Sequence, residues 1–205
     1  MGVISNGTTL LDAGALDGGV ATGNMTHIKT LTASSSGTLS FVHGASSVVL
    51  DGTYKEYVFK FINIHPATDS TEFGVGFRDG GTAYDATKTT TAFVAVHNEG
   101  DSEAALNSRI ANEGLEANTG FQSLNLNMGN GNDESLSGEM FLYSPSSTTF
   151  IKHFMSTTQY YQDGDASLNY RVAGFCHATA AIDGVQFKMN SGNIDSGIIK
   201  MYGIK

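Results

Sequence analysis

The chain has one cysteine, no tryptophan and few charges, and each shortage excludes something. A lone thiol, Cys176, leaves no partner for an internal disulfide and fits assembly in a reducing cytoplasm. No stretch reaches the roughly 18 consecutive apolar residues of a membrane-spanning helix. The start, MGVISNGTTLLDAGALDGG, lacks a basic region followed by an apolar run, so no signal peptide is expected. Its Gly2 invites comparison with an acylation signal, but Asn6 stands where serine or threonine is required. Basic residues number 11 against 20 acidic ones, a formal charge of -9. Nucleic acid and anionic lipid both select Lys/Arg-rich surfaces, so neither is an expected partner. Charged residues make up only 15%, below the roughly 25% of ordinary soluble domains. The polar surface is built instead from Ser, Thr, Asn and Gly, which cost less to desolvate than ions when chains pack together.

What is present is a series of short apolar runs separated by Gly, Ser, Asn and Asp clusters. The runs predict strands at 38–42, 47–50, 56–64, 73–77, 91–96, 121–128, 138–144, 148–161, 168–177, 184–190 and 197–204. In GVQFKMN, Val185, Phe187 and Met189 share one face while Gln186, Lys188 and Asn190 share the other. YVFKFINI is apolar on both faces, as a central strand requires. Asp51-Gly52, Asp79-Gly80-Gly81, Gly129 to Asp133, Asp163-Gly164-Asp165 and Asp183-Gly184 mark turns between the runs. About ten strands at this spacing imply an all-β sandwich, jelly roll or barrel. Glu103 to Ala117 departs from the pattern, with Leu106 and Ile110 four apart, and reads as a short helix or an irregular excursion. Gly192 and Gly197 bracket a turn expected to fold the last strand back on GVQFKMN. In that last strand Ile199 and Met201 share one face.

Residues 1–30 differ from the rest, with small residues, no aromatics and aliphatics at intervals. They are expected to form an extended arm that orders on a partner surface, with Val3, Ile4, Leu10, Leu11 and Leu16 as anchors. Residues 31–205 form the β-domain.

Chemistry-bearing motifs are sparse. The six histidines are dispersed, and no pair has metal-ligand spacing, so no metal or cofactor is expected. Cys176-His177 places a thiol beside a base, but neighbours on a strand point to opposite faces, so Cys176 reads as a small buried hydrophobe. No phosphate-binding loop or nucleophile elbow occurs. Carboxylates pair at Asp133-Glu134, Asp163/Asp165 and Glu99/Asp101/Glu103, where solvated turns, acid–base work and calcium are the readings to separate.

The stretch FVHGASSVVLDGTYKEYVFKFINIHPATDSTEFGVGF (41–77) resembles a block of a family of small structural proteins of marine tailed bacteriophages. The end AIDGVQFKMNSGNIDSGIIKMYGIK (181–205) resembles the same family's closing hairpin, with Met201 in place of a more usual leucine. SGEMFLYSPSSTTFIKHF (137–154) and residues 1–19 are similar as well, whereas 99–120 matches least. The resemblance implies an antiparallel β-sandwich of jelly-roll type on the virion. The expected role is non-enzymatic: decorating or cementing the capsid exterior through the N-terminal arm, against the major capsid protein, as a homo-oligomer with a trimer favoured. The alternative is a tail-fibre or receptor-binding protein that recognises host surface glycans through Tyr160, Tyr161, Asp163 and Asp165. A glycan depolymerase is a third reading, and it requires two carboxylates converging in the fold.

Overall fold

The computed structural model describes residues 3–5, 8–12, 15–16 and 24–205. Strand-forming runs dictate three antiparallel sheets. Strands β1 (Val3–Ser5), β2 (Thr8–Asp12) and β3 (Ala15–Leu16) make a small sheet of their own, in the order β1-β2-β3. The remaining strands are β4 (Met25–Ser36), β5 (Leu39–Val42), β6 (Glu56–Pro66), β7 (Phe73–Arg78), β8 (Lys88–Asn98), β9 (Ala104–Ser108), β10 (Gln122–Ser123), β11 (Leu136–Tyr143), β12 (Lys152–Gln162), β13 (Ala166–Cys176), β14 (Gly184–Met189) and β15 (Ile194–Ile204). A single helical turn, α1 (Ile110–Glu113), follows β9. Eight strands form the sheet β4-β15-β6-β11-β12-β13-β8-β9, and four form β10-β7-β14-β5.

Period-two alternation explains which faces meet. Val185, Phe187 and Met189 of β14 are buried, as are Ile199 and Met201 of β15. The two larger sheets face each other across aromatic rings. Phe187 stacks on Phe73 with centroids 5.6 Å apart and an interplanar angle of 15°. It meets Phe61 of the opposite sheet edge-on at 5.3 Å. Phe41–Phe59 and Phe77–Phe154 bridge the same gap at 5.3 and 4.8 Å. Strand β6 is apolar on both faces because it is central, hydrogen-bonded to β15 on one side and β11 on the other.

Several expectations need correction. The arm of residues 1–30 is too long: Met25–Thr30 already belong to β4, an edge strand paired with β15. Its sequence, MTHIKTLTASSS, hides the strand because an edge position leaves all but one of its residues partly or fully exposed. The last strand does not fold back on GVQFKMN. Strand β14 pairs with β5 and β7, whereas β15 crosses to the other sheet and pairs with β4 and β6.

SVVL (47–50) buries Val48 and Leu50 without joining a ladder. Local bonds replace it: Gly44 N–H donates to Val48 O at 3.0 Å and Val48 N–H to Ala45 O at 2.9 Å. FQSLNLNM narrows to β10 because Asn125 takes the backbone's place, accepting from Phe73 N–H at 2.5 Å and donating to Thr71 O at 3.0 Å. Glu103 to Ala117 resolves into β9 and the one turn of α1.

Candidate functional site

Of the residues expected to meet a partner, Val3 and Ile4 are 54% and 64% exposed on β1. Across the small sheet Val3 is registered with Leu11, and Leu11 with Leu16. The side chains of Leu10, Leu11 and Leu16 lie outside the described residues.

The glycan candidates separate. Tyr160 and Tyr161 are neighbours on β12, so their side chains leave opposite faces. Tyr160 is only 3% exposed, and its hydroxyl accepts the Leu126 N–H at 2.9 Å. Burial raises its phenol well above the ordinary value. Tyr160 is therefore a core residue and no surface platform. Tyr161 donates to Glu99 at 3.0 Å and to Asp165 at 3.2 Å, and the Glu99 bond leads in raising its phenol. The structure thus brings Tyr161, Asp165 and Glu99 together. Asp163 is exposed, with its N–H donated to Asn127 O at 3.1 Å, and its carboxylate joins no hydrogen bond to that cluster.

In the loop at 129–133, the Gly131 N–H is taken by the Glu134 carboxylate, which folds over the glycines from within the same turn. Among the described residues no three His, Cys, Asp or Glu side chains converge as a metal site. Cys176 and His177 diverge as strand geometry requires. Cys176 is fully buried, and desolvation pushes its thiol up to about 12. His177 is exposed and bonded to the Thr89 hydroxyl at 2.7 Å.

Two features escaped sequence reasoning. Lys152, Cys176 and Lys88 occupy one cross-strand row of β12, β13 and β8, with both lysines fully buried. Lys88 donates to Ala86 O at 2.7 Å, and Lys152 to Ala178 O at 3.1 Å. Desolvation lowers both ammonium pKa values. No signal distinguishes such a lysine from a surface one, because its partners are backbone carbonyls supplied by loops.

The second feature is the outer face of the eight-stranded sheet. Phe93 and Met155 are 45% and 47% exposed there. Phe141 stacks on Tyr143 at 6.4 Å, and His153 meets Phe175 at 6.1 Å. A hollow of about 420 Å³ among Thr89, Thr91, Tyr143, His153 and Phe175 makes this face concave and apolar. Period-two alternation in TAFVAV and TTFIKHFM, applied to both faces, carried the signal.

No helix among the described residues is long and apolar enough to cross a membrane. Comparison of the chain with protein-family models, with curated proteins and with solved structures gives no match.

Proposed function

We propose that the protein is a non-enzymatic structural component of a phage virion that decorates or cements the capsid exterior. The observation that carries this reading is the N-terminal sheet. Among the described residues β1, β2 and β3 pair only with one another, and Val3 and Ile4 present aliphatic side chains to solvent. Such a strip suits docking on the major capsid protein, where apolar burial supplies the affinity. The resemblance of residues 1–19, 41–77, 137–154 and 181–205 to marine phage structural proteins supports the same assignment.

The body behind that strip is a β-sandwich of jelly-roll type in this reading. Alternation of consecutive strands between sheets supports it: β4 and β6 lie in the larger sheet, β5 and β7 in the smaller, and the chain crosses again from β14 to β15. Self-association draws on the concave apolar face around Phe93, Met155 and Phe175, with a trimer as the favoured state. Oligomerisation then multiplies weak arm contacts through effective concentration.

A chain lacking residues 1–24 tests the assignment. It is expected to keep the β-rich circular dichroism of the full chain and to lose binding to capsids that lack this protein. Undiminished capsid binding by the truncated chain would contradict the role of the arm.

A further inference from the structure

Strand β7 opens FGVGF, and period two sends its residues to opposite faces. Phe73, Val75 and Phe77 fill the core, so Gly74 and Gly76 take the outward positions. Glycines on one face of a strand mark a place where something approaches the backbone closely. At Gly76 it is the Phe121 ring, whose Cζ would lie 2.7 Å from an added Cβ. At Gly74 a Cβ would lie 3.3 Å from Gln122 O, and the bare backbone forms the floor of a hollow of about 400 Å³.

The hollow has two walls. Within the small sheet Gly74 is registered with Lys188 of β14 on one side and with Ser123 of β10 on the other. Those backbones stand two strand spacings apart, roughly 10 Å. Glu72 joins the Ser123 side, where its carboxylate accepts the Ser123 hydroxyl. Asn190 lines the same hollow. Its Oδ1 accepts the Thr71 hydroxyl at 2.6 Å and the Glu72 N–H at 3.0 Å, which leaves its NH2 to donate. Phe121 is the aromatic part of the lining.

Lys188 and Glu72 border this hollow without neutralising each other. Lys188 Nζ lies 4.3 Å over the Phe121 ring, a cation–π contact that positions the ammonium. Among the described residues neither Lys188 nor Glu72 forms an ion pair. Glu72 also borders a second cavity, of about 300 Å³, with Arg109, but that guanidinium is taken by Glu113 at 2.7 and 2.9 Å. An ammonium and a carboxylate, both half-buried, therefore share one small hollow, each without a counter-charge.

We propose that this hollow binds a small zwitterion, an α-amino acid with an apolar side chain, its carboxylate on Lys188 and its ammonium on Glu72. Charge complementarity selects the class. An anion alone is repelled by Glu72 and a cation alone by Lys188, while a neutral sugar leaves both charges uncompensated. The Asn190 NH2 adds a donor for the carboxylate, and the apolar side chain lies against Phe121. The volume sits at the small end of ligand sites, which suits a free amino acid.

The test is ligand-observed NMR on the purified full chain with L-leucine, N-acetyl-L-leucine and L-leucinamide. The first carries both charges, the second only the anion and the third only the cation. L-leucine is expected to bind, and each single-charge analogue to bind about tenfold more weakly, the loss of one charge-assisted contact. Lys188→Gln is expected to weaken L-leucine about tenfold and to leave L-leucinamide, which has no carboxylate, no weaker than before. Glu72→Gln is expected to do the same to L-leucine and to spare N-acetyl-L-leucine. Both side chains are half-exposed, so both variants are expected to keep the native thermal midpoint. The proposal is overturned if L-leucine does not bind or if either analogue binds as tightly. It is equally overturned if Lys188→Gln or Glu72→Gln binds L-leucine as the native chain does. The measurement uses no capsid, so it succeeds or fails independently of the capsid assignment.

Discussion

Arg78 and Asp183 are joined as a fork, Nε to Oδ1 at 2.7 Å and Nη2 to Oδ2 at 3.0 Å. The pair fastens the end of β7 to the residue just before β14, where Asp183 N–H also donates to Arg78 O at 2.9 Å. Their hydrogen bond is the leading reason that the Arg78 pKa lies above its ordinary value. Asp183→Asn keeps the shape and loses the charge-assisted pair, so unfolding free energy should fall by about 1–2 kcal/mol. Arg78→Lys should also destabilise, since an ammonium cannot occupy both oxygens of the fork. Urea denaturation of the two variants checks this, and unchanged midpoints would count against it.

Phe187 is the hub of the aromatic core, touching Phe41, Phe59, Phe61 and Phe73. Truncation to alanine leaves a cavity between the sheets that close packing cannot refill. Phe187→Ala should cost about 3–5 kcal/mol and Phe187→Leu distinctly less. Equal losses from the two variants in chemical denaturation would contradict a packed aromatic hub.

Cys176 titrates in the opposite direction from its lysine neighbours. Its thiol moves from about 9 to about 12 on folding, so the native state keeps a proton that the unfolded chain releases. That stability is fully present below about pH 9 and is lost as pH rises toward 12. Lys88 and Lys152 are lowered, so between their folded pKa values and the ordinary 10.5 the unfolded chain binds more protons and their effect improves with pH. The stability difference between the native chain and Cys176→Ala should therefore shrink from pH 9 to 12. Denaturation at pH 8.5 and pH 11 measures it, and a constant difference would rule out a buried neutral thiol. At pH 8 the native thiol should also resist a thiol-reactive dye until the chain unfolds.

Gly197 has a φ of +123°, where β15 shifts register against β6. A Cβ there would lie 2.7 Å from Asn63 O and 2.8 Å from Ile64 Cα, both backbone atoms that cannot turn aside. Gly197→Ala should destabilise by about 1–3 kcal/mol, whereas Gly52→Ala, in open space, should change little. Thermal denaturation of both variants tests the contrast.

Strands such as β14 and β15 were legible because alternation is written residue by residue: Val185, Phe187 and Met189, then Ile199 and Met201. Their partners were not. The turn signals at Gly192 and Gly197 suit a hairpin, yet the apolar faces of β14 and β15 are satisfied across the core rather than within one sheet. Edge strand β4 was missed because half-exposure dilutes its pattern, and Asn125 cut β10 short by side-chain hydrogen bonding. The site was less legible still. Adjacency of Tyr160 and Tyr161 in sequence means opposition across a strand, and Glu72 and Arg109 come to border one cavity only through tertiary packing.

The capsid assignment is tested most directly by separating heads from tails of the parent particle and quantifying this chain in each fraction. The chain is expected to follow the heads, at a copy number in proportion to the major capsid protein. Recovery with the tails at a few copies per particle would contradict it.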